Sequence, residues 1–171
     1  MAEASLTIRP AEPRDLAQVV MIQTHYAHHT VITFSEEPMG VSEWAAELAE
    51  KRAAGHPFLV AAEAGVVQGF AYAGHWRRKS AYRHTVEDTV YLRPGAQGRG
   101  IGRALLAELL IRCEEAGHRQ VIAVLSEDES TRASYVLHEK LGFTEVGRLA
   151  DVGVKRGRTL STILMQRSLG R

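Results

Sequence analysis

The chain has 171 residues, 45% of them hydrophobic and 24% charged, the balance of an ordinary globular domain able to bury a substantial core. A net charge of +1 lacks the basic excess of a dedicated nucleic-acid binder, and no apolar run approaches the roughly 18 residues of a membrane span. The lone cysteine, Cys113, has no internal disulfide partner, which suits a reducing, cytoplasmic setting, and the polar residues 1–5 predict no secretory signal.

Residues 6–9 (Leu-Thr-Ile-Arg) read as a short first strand. Pro13 suits the first turn of a helix running to about His29. Residues 30–40 read as a loop carrying Phe34 and Glu37-Pro38, and Ser42 caps a second helix ending near Gly55. The apolar runs 58–62 and 66–72 make a hairpin about Gly65, and 85–92 is the next strand. Gly98, Gly100 and Gly102 then launch a helix over 101–116, stopped by Gly117. Ile101, Leu105, Leu109 and Cys113 fall four apart on its inner stripe, so Cys113 reads as packing rather than as a nucleophile. Residues 121–125 read as a buried strand, and 131–141 as a helix stopped by Gly142. The remainder to Leu169 reads as two strands around the turn at Lys155-Arg156-Gly157. The order βααβββαβαββ predicts one domain over 1–171 of the α+β (mixed α/β) class, a largely antiparallel sheet with a local βαβ crossover.

A strand running into alternating glycines and a helix start is an anion cradle. Glycine lets the backbone approach a ligand closely, and the helix start offers free N–H groups at the positive end of its dipole. The cradle is not a P-loop, which needs a lysine and a hydroxyl that are missing here. It is not a dinucleotide fingerprint either, since the spacing is G-x-G-x-G and lies past the middle of the chain.

Gln97-Gly98-Arg99-Gly100-Ile101-Gly102 resembles the acyl-CoA pyrophosphate loop, [QR]-x-x-G-x-[GA], of the GNAT N-acetyltransferase superfamily. Tyr82 and the strand 85–91 that precedes it resemble the phosphinothricin acetyltransferase branch. So do His25-Tyr26, Thr33-Phe34, Trp76-Arg77, the run 137–143 and the hairpin 153–158, so the likeness spans nearly the whole chain. It implies a GNAT fold with a splayed parallel strand pair, helices on both faces, acetyl-CoA as cosubstrate wedged between the splayed strands, and a homodimer. Thr89, Val90 and Tyr91 would pair with the pantetheine arm, an N–H from Val90 or nearby would polarise the thioester, and Arg99 and Arg103 would either add charge beside the phosphates or stay solvated at the helix start. Ser134 matches the branch at the next helix, with Thr131 standing in for its usual asparagine.

Acetyl transfer to an amine needs a base, and Glu87, in an otherwise uncharged stretch of strand except for Asp88, is the candidate. The alternatives are a rim glutamate or a salt-bridge partner for Arg83. His138 falls where many superfamily members carry a tyrosine that protonates the thiolate; it is either that acid or a structural histidine, with Tyr135 a competitor. Trp76, Arg77, Arg78 and Lys79 precede Tyr82, and with Phe34, Thr85, Val86 and Glu87 they outline a pocket for an amino-acid-like acceptor carrying acidic oxygens. His25, His28 and His29 share a helix face, but acetyl transfer needs no metal and none is expected. The branch implies phosphinothricin, methionine sulfoximine or methionine sulfone as acceptor. Arg156 and Thr159 replace the branch's aromatic and tryptophan, so the acceptor stays open. Another amine, such as a protein N-terminus or a polyamine, and a non-catalytic acyl-CoA-binding module are the competing readings. No nucleic acid or membrane partner is expected.

Overall fold

A computed structural model describes residues 5–170; the expectation about a secretory signal rests mainly on residues 1–4, outside the described residues. Strand β1 (Thr7–Pro10) opens the fold, followed by helices α1 (Leu16–His29) and α2 (Val41–Ala53). β2 (Phe58–Glu63), β3 (Val66–His75) and β4 (Thr85–Leu92) form a meander, and α3 (Ile101–Glu115) crosses to β5 (Gln120–Ser126). α4 (Arg132–Lys140) leads to the closing hairpin of β6 (Thr144–Lys155) and β7 (Arg158–Ser168). The strand order is β1-β2-β3-β4-β5-β7-β6. Among the described residues β4 and β5 are the one parallel pair, and α3 carries the chain back between them to the same end of the sheet, whereas the other neighbouring strands pair antiparallel. This is the mixed α+β architecture that the sequence predicts.

Alternation along the inner strands decides which helices cover which face. Phe58, Val60 and Phe70 pack with Leu16, Val19, Ile22, Trp44 and Leu48 of α1 and α2. Leu59, Ala61, Ala71, Ala73 and Val86 turn to the other face, against Leu105, Leu106, Leu109 and Cys113 of α3. Small residues there let α3 lie close: a Cβ added at Gly69 would come 2.7 Å from Leu92 Cδ2 and 3.1 Å from Leu105 Cδ1. Each buried leucine of α3 contributes roughly 1.5–3 kcal/mol relative to exposure, so α3 is a firm wall behind the sheet. Cys113 is fully buried in that wall, and burial pushes its thiol up to about 12.

Three element starts differ from expectation. Gly40, not Ser42, is the N-cap of α2: its own N–H donates to Glu43 Oε2 at 2.8 Å, and no side chain accepts from the first N–H groups of the helix. Pro13 opens a 3-10 turn, Pro13–Asp15, because Asp15 is held by Arg9 (2.7 Å) and by the Glu12 N–H (2.8 Å) before α1 begins. Thr131 closes a second such turn, Glu129–Thr131, and α4 starts one residue later. No helix among the described residues is long and apolar enough to cross a membrane.

Candidate active site

β4 and β5 pair at Thr85–Gln120, Val86–Val121 and Glu87–Ile122, although both strands continue well beyond. Past Glu87 they part. The Arg93 N–H donates to Gln68 O at 2.8 Å, which sets the parity of the ladder between β3 and β4. By the alternation of antiparallel pairing, Thr89 and Tyr91 direct their N–H and C=O groups to β3. Asp88 and Val90 direct theirs toward β5, and Val90 has no registered β5 partner. The parted strands thus offer backbone groups at β spacing to a guest.

A cavity of about 320 Å³ fills the gap, walled by residues 87–91 and 123–126. Ser134 and His138 of α4 line it on the α3 face of the sheet, and Thr33 and Phe34 on the α1 face. Asp88 Oδ1, Ser126 Oγ and Thr162 Oγ1, all from residues of its wall, are buried without a partner in the described structure. An unsatisfied buried polar atom costs about 1–3 kcal/mol, so this wall suits a polar occupant better than a dry one. A second cavity, of about 490 Å³, is lined by Lys51, His56, Trp76, Arg77 and Arg78. Tyr72, Glu87 and Thr89 belong to both cavities, so Glu87 stands where they meet.

The glycine loop follows the end of β4. Gly98 and Gly100 have φ of 76° and 77°, the left-handed region that glycine enters without strain. Gly100 is the N-cap of α3 and no side chain caps it, which leaves the first N–H groups of the helix free for an anion. A Cβ at Gly102 would lie 3.5 Å from Leu137 Cδ2 and 3.6 Å from Leu92 Cδ1, so the helix start sits between α4 and the end of β4.

Glu87 is half-buried, and its pKa is raised by burial and by the charge of Asp88, against a smaller opposing pull from Arg77. A carboxyl group so placed is a stronger base than an ordinary glutamate once ionised. Asp88 turns to the opposite face, where its Oδ2 lies 2.9 Å from His138 Nε2. His138 Nδ1 donates to Ser134 O at 2.7 Å. Burial alone lowers the histidine's pKa, but Asp88's charge and hydrogen bond, with the Ser134 carbonyl, raise it overall.

The model of the acetyltransferase (GNAT) family matches residues 19–143. The chain belongs to this family. It is 42% identical over 169 residues to the phosphinothricin N-acetyltransferase of Alcaligenes faecalis, covering 99% of this chain and 85% of that one. It is 36% identical to the L-methionine sulfoximine/L-methionine sulfone acetyltransferase of Salmonella typhimurium, covering 96% and 95%. The crystal structure of a phosphinothricin acetyltransferase from Sinorhizobium meliloti in complex with acetyl-CoA superposes with a TM-score of 0.91 at 41% identity, covering 96% of this chain and 89% of that one. The fold is therefore the GNAT fold, and the chain is an acetyltransferase of that family.

Within this GNAT domain the expected site residues separate into those at the cavities and those elsewhere. Thr89, Val90, Tyr91, Ser134, His138, Phe34 and Glu87 line the cleft, and Trp76, Arg77 and Arg78 line the second cavity. Lys79, Tyr82, Thr85 and Val86 line neither: Lys79 and Tyr82 are exposed, Thr85 pairs with Gln120, and Val86 is buried against α3. Thr131 is also outside the cleft wall, because its hydroxyl is drawn into the turn, 2.6 Å from Ser126 O and 2.7 Å from Asp128 O. Gln97 accepts from the Gly95 N–H at 2.8 Å, Arg99 pairs with Glu63 at 2.9 Å, and Arg103 is exposed at the start of α3. Arg83 donates to Ser80 O, and the Tyr135 hydroxyl donates to Glu145. Among the described residues no three His, Cys, Asp or Glu side chains are grouped to hold a metal.

Sequence reasoning passed over Asp88 and gave Lys155 only a place in a motif. Lys155 Nζ donates to Thr33 O at 2.8 Å and so fixes the loop that carries Phe34. Phe34 in turn lies on Gly153, where an added Cβ would come 2.3 Å from its Cε2. The one available signal was the pairing of Gly153 and Lys155 in a single hairpin.

Proposed function

We propose that this chain transfers the acetyl group of acetyl-CoA directly to the amino group of a small amino-acid-like acceptor, of the phosphinothricin, methionine sulfoximine or methionine sulfone type. The observation that carries the reading is Glu87 at the junction of the two cavities, one opening along the parted strands and the other lined by Trp76, Arg77 and Arg78. The names of the relatives support the same acceptor class.

The residues present fit the cosubstrate. The unpaired backbone of Val90 suits the amides of a pantetheine arm, the partnerless Ser126 and Thr162 hydroxyls suit its polar atoms, and the uncapped start of α3 suits a pyrophosphate. When bound, acetyl-CoA supplies an acetyl group activated as a thioester. The Val90 N–H is aimed to polarise the thioester carbonyl, a role that in other acyl-transfer sites is worth about 3–4 kcal/mol. Glu87 takes a proton from the acceptor ammonium, directly or through a water. His138 returns a proton to the departing thiolate. Gln97, Gly98, Gly100, Ile101 and Gly102 hold the pyrophosphate by backbone, with Arg99 and Arg103 adding charge beside it. Arg77 orients the acceptor's acidic group, and Phe34 and Trp76 give its apolar walls.

A homodimer is part of the proposal. Val146, Leu149, Val152 and Val154 lie exposed along β6, one of the two edge strands, and would be covered by a second copy. Sedimentation velocity tests it, with a monomer mass counting against it. The lone buried cysteine supports a cytoplasmic setting. The reading as a whole is tested by thiol release from acetyl-CoA across a panel of amines: turnover with the sulfone, sulfoximine or phosphinothricin supports it. Turnover confined to a polyamine or a peptide N-terminus, or binding without turnover, would replace it by one of the competing readings.

A further inference from the structure

Asp88 and His138 meet from β4 to α4 with 2% and 3% of their side chains exposed. Both ring nitrogens of the histidine face acceptors. Ser134 O is a carbonyl and can only accept, so Nδ1 carries hydrogen. A neutral imidazole has one such hydrogen, and the Ser134 bond takes it. The 2.9 Å contact between Nε2 and Oδ2 therefore contains a second proton, since a bare nitrogen against a bare carboxylate would repel. Written as imidazolium with carboxylate or as imidazole with carboxylic acid, the pair holds that proton as a unit.

We infer that Asp88 is the positioning residue that keeps a second proton on His138 and so makes the α4 histidine an acid for the leaving thiolate, an inference that rests on the acetyl-transfer reading. Without the carboxylate, His138 would face the cleft with its single hydrogen committed to Ser134 and none to give. Two further titratable groups feel the charge of Asp88: Glu87 beside it on β4, and the Cys113 thiol of α3, which burial keeps protonated. Phe143 covers the imidazole edge-on at 4.9 Å between ring centres.

The protons balance. An ammonium loses two on becoming an amide. Glu87 takes the first before the nitrogen attacks and passes it to water. The C–N bond forms, the C–S bond breaks, and its electron pair leaves with sulfur, which receives the proton of the His138–Asp88 pair. The second nitrogen proton leaves to water through Glu87, and one proton from water restores the pair.

Asp88→Asn is the test, because the amide has the carboxylate's shape and can donate to an Nε2 that lacks hydrogen. The measurements are kcat and KM at saturating acceptor, Tm, and the ring ¹⁵N spectrum of His138. In the unmodified enzyme at pH 7 His138 should read as doubly protonated, or as sharing its second proton with Asp88, and in the variant as singly protonated. In the variant kcat should fall about 10²-fold or more, with the KM for acetyl-CoA and Tm close to wild type. Unchanged kcat, or a fall matched by loss of Tm or of acetyl-CoA binding, would overturn the inference while leaving acetyl transfer intact. If Asp88→Asn does not fold, the wild-type spectrum decides, and a singly protonated His138 with no shared proton at pH 7 overturns it. A wild type that releases no thiol with any acceptor removes the acetyl-transfer reading, and this inference with it.

Discussion

Glu87 stands opposite Ile122 at the last position where β4 and β5 pair, so the proposed base sits where the sheet opens. Its carboxyl group titrates above the ordinary glutamate value of about 4.3 because burial, and then Asp88, disfavour its charge. A raised folded-state pKa favours the fold while the group is protonated, and that contribution is lost as pH rises through the folded value. Glu87→Gln removes the buried charge. The Tm of the variant relative to wild type should therefore increase from pH 4 to pH 8, as read by calorimetry. The acid limb of kcat/KM in the wild type should lie above the usual carboxylate range. A flat Tm difference and an acid limb at the usual value would contradict the placement.

Gly100 caps α3 at φ 77°, and an added Cβ there would meet no atom within 4 Å. Only the backbone conformation is at stake in Gly100→Ala. Left-handed backbone costs a non-glycine residue roughly 1–2 kcal/mol, or a Tm loss of about 2–8 °C at about 2–4 °C per kcal/mol for a domain this size. If the loop holds a pyrophosphate, affinity for CoA should fall as well, measured by calorimetric titration. A stable variant with unchanged CoA affinity would remove the loop from the site.

Phe34 occupies the space a side chain at Gly153 would need. Gly153→Ala should therefore displace the ring from the cleft wall and raise the KM of the acceptor more than that of acetyl-CoA. Steady-state kinetics with each substrate varied in turn separates the two. Equal effects on both would mean that Phe34 does not wall the acceptor site.

His56 packs against His75 and His118, with ring centres 4.5 and 5.1 Å apart. Burial first, then the charges of His75, His118 and Lys51, pull His56 down to about 4, and burial lowers His118 too. A depressed folded-state pKa gives stability that is complete above the unfolded value, about 6.5, and lost as pH falls through the folded one. Tm should drop as pH falls from about 6.5 toward 4, and His56→Gln should flatten that drop. A variant with the same Tm profile as wild type would contradict the account of this cluster.

Much of the fold was legible because it rests on local pattern. Short continuous apolar runs marked β2 and β5, and the four-residue stripe ending at Cys113 marked α3 and its buried face. Glu87 was legible because a glutamate in an apolar strand needs a reason. Asp88 was not, because the strand turns it to the opposite face and its partner His138 lies 50 residues away. Thr131 was suggested by its place in a motif and Lys79 by its place in a basic run, but neither pattern says where a hydroxyl or an ammonium points. Thr131 turned inward to its own loop, and Lys79 outward.

Glu87, in the role proposed for it, removes the acceptor's proton where the two cavities meet. The most direct measurement of that role is thiol release from acetyl-CoA with methionine sulfone or phosphinothricin, wild type beside Glu87→Gln, with thermal protection by acetyl-CoA recorded for both. Expected are turnover in the wild type, a loss of about 10²–10⁴-fold in the variant, and equal protection of the two by acetyl-CoA. Equal turnover in both proteins, or loss of protection along with turnover, would contradict that role.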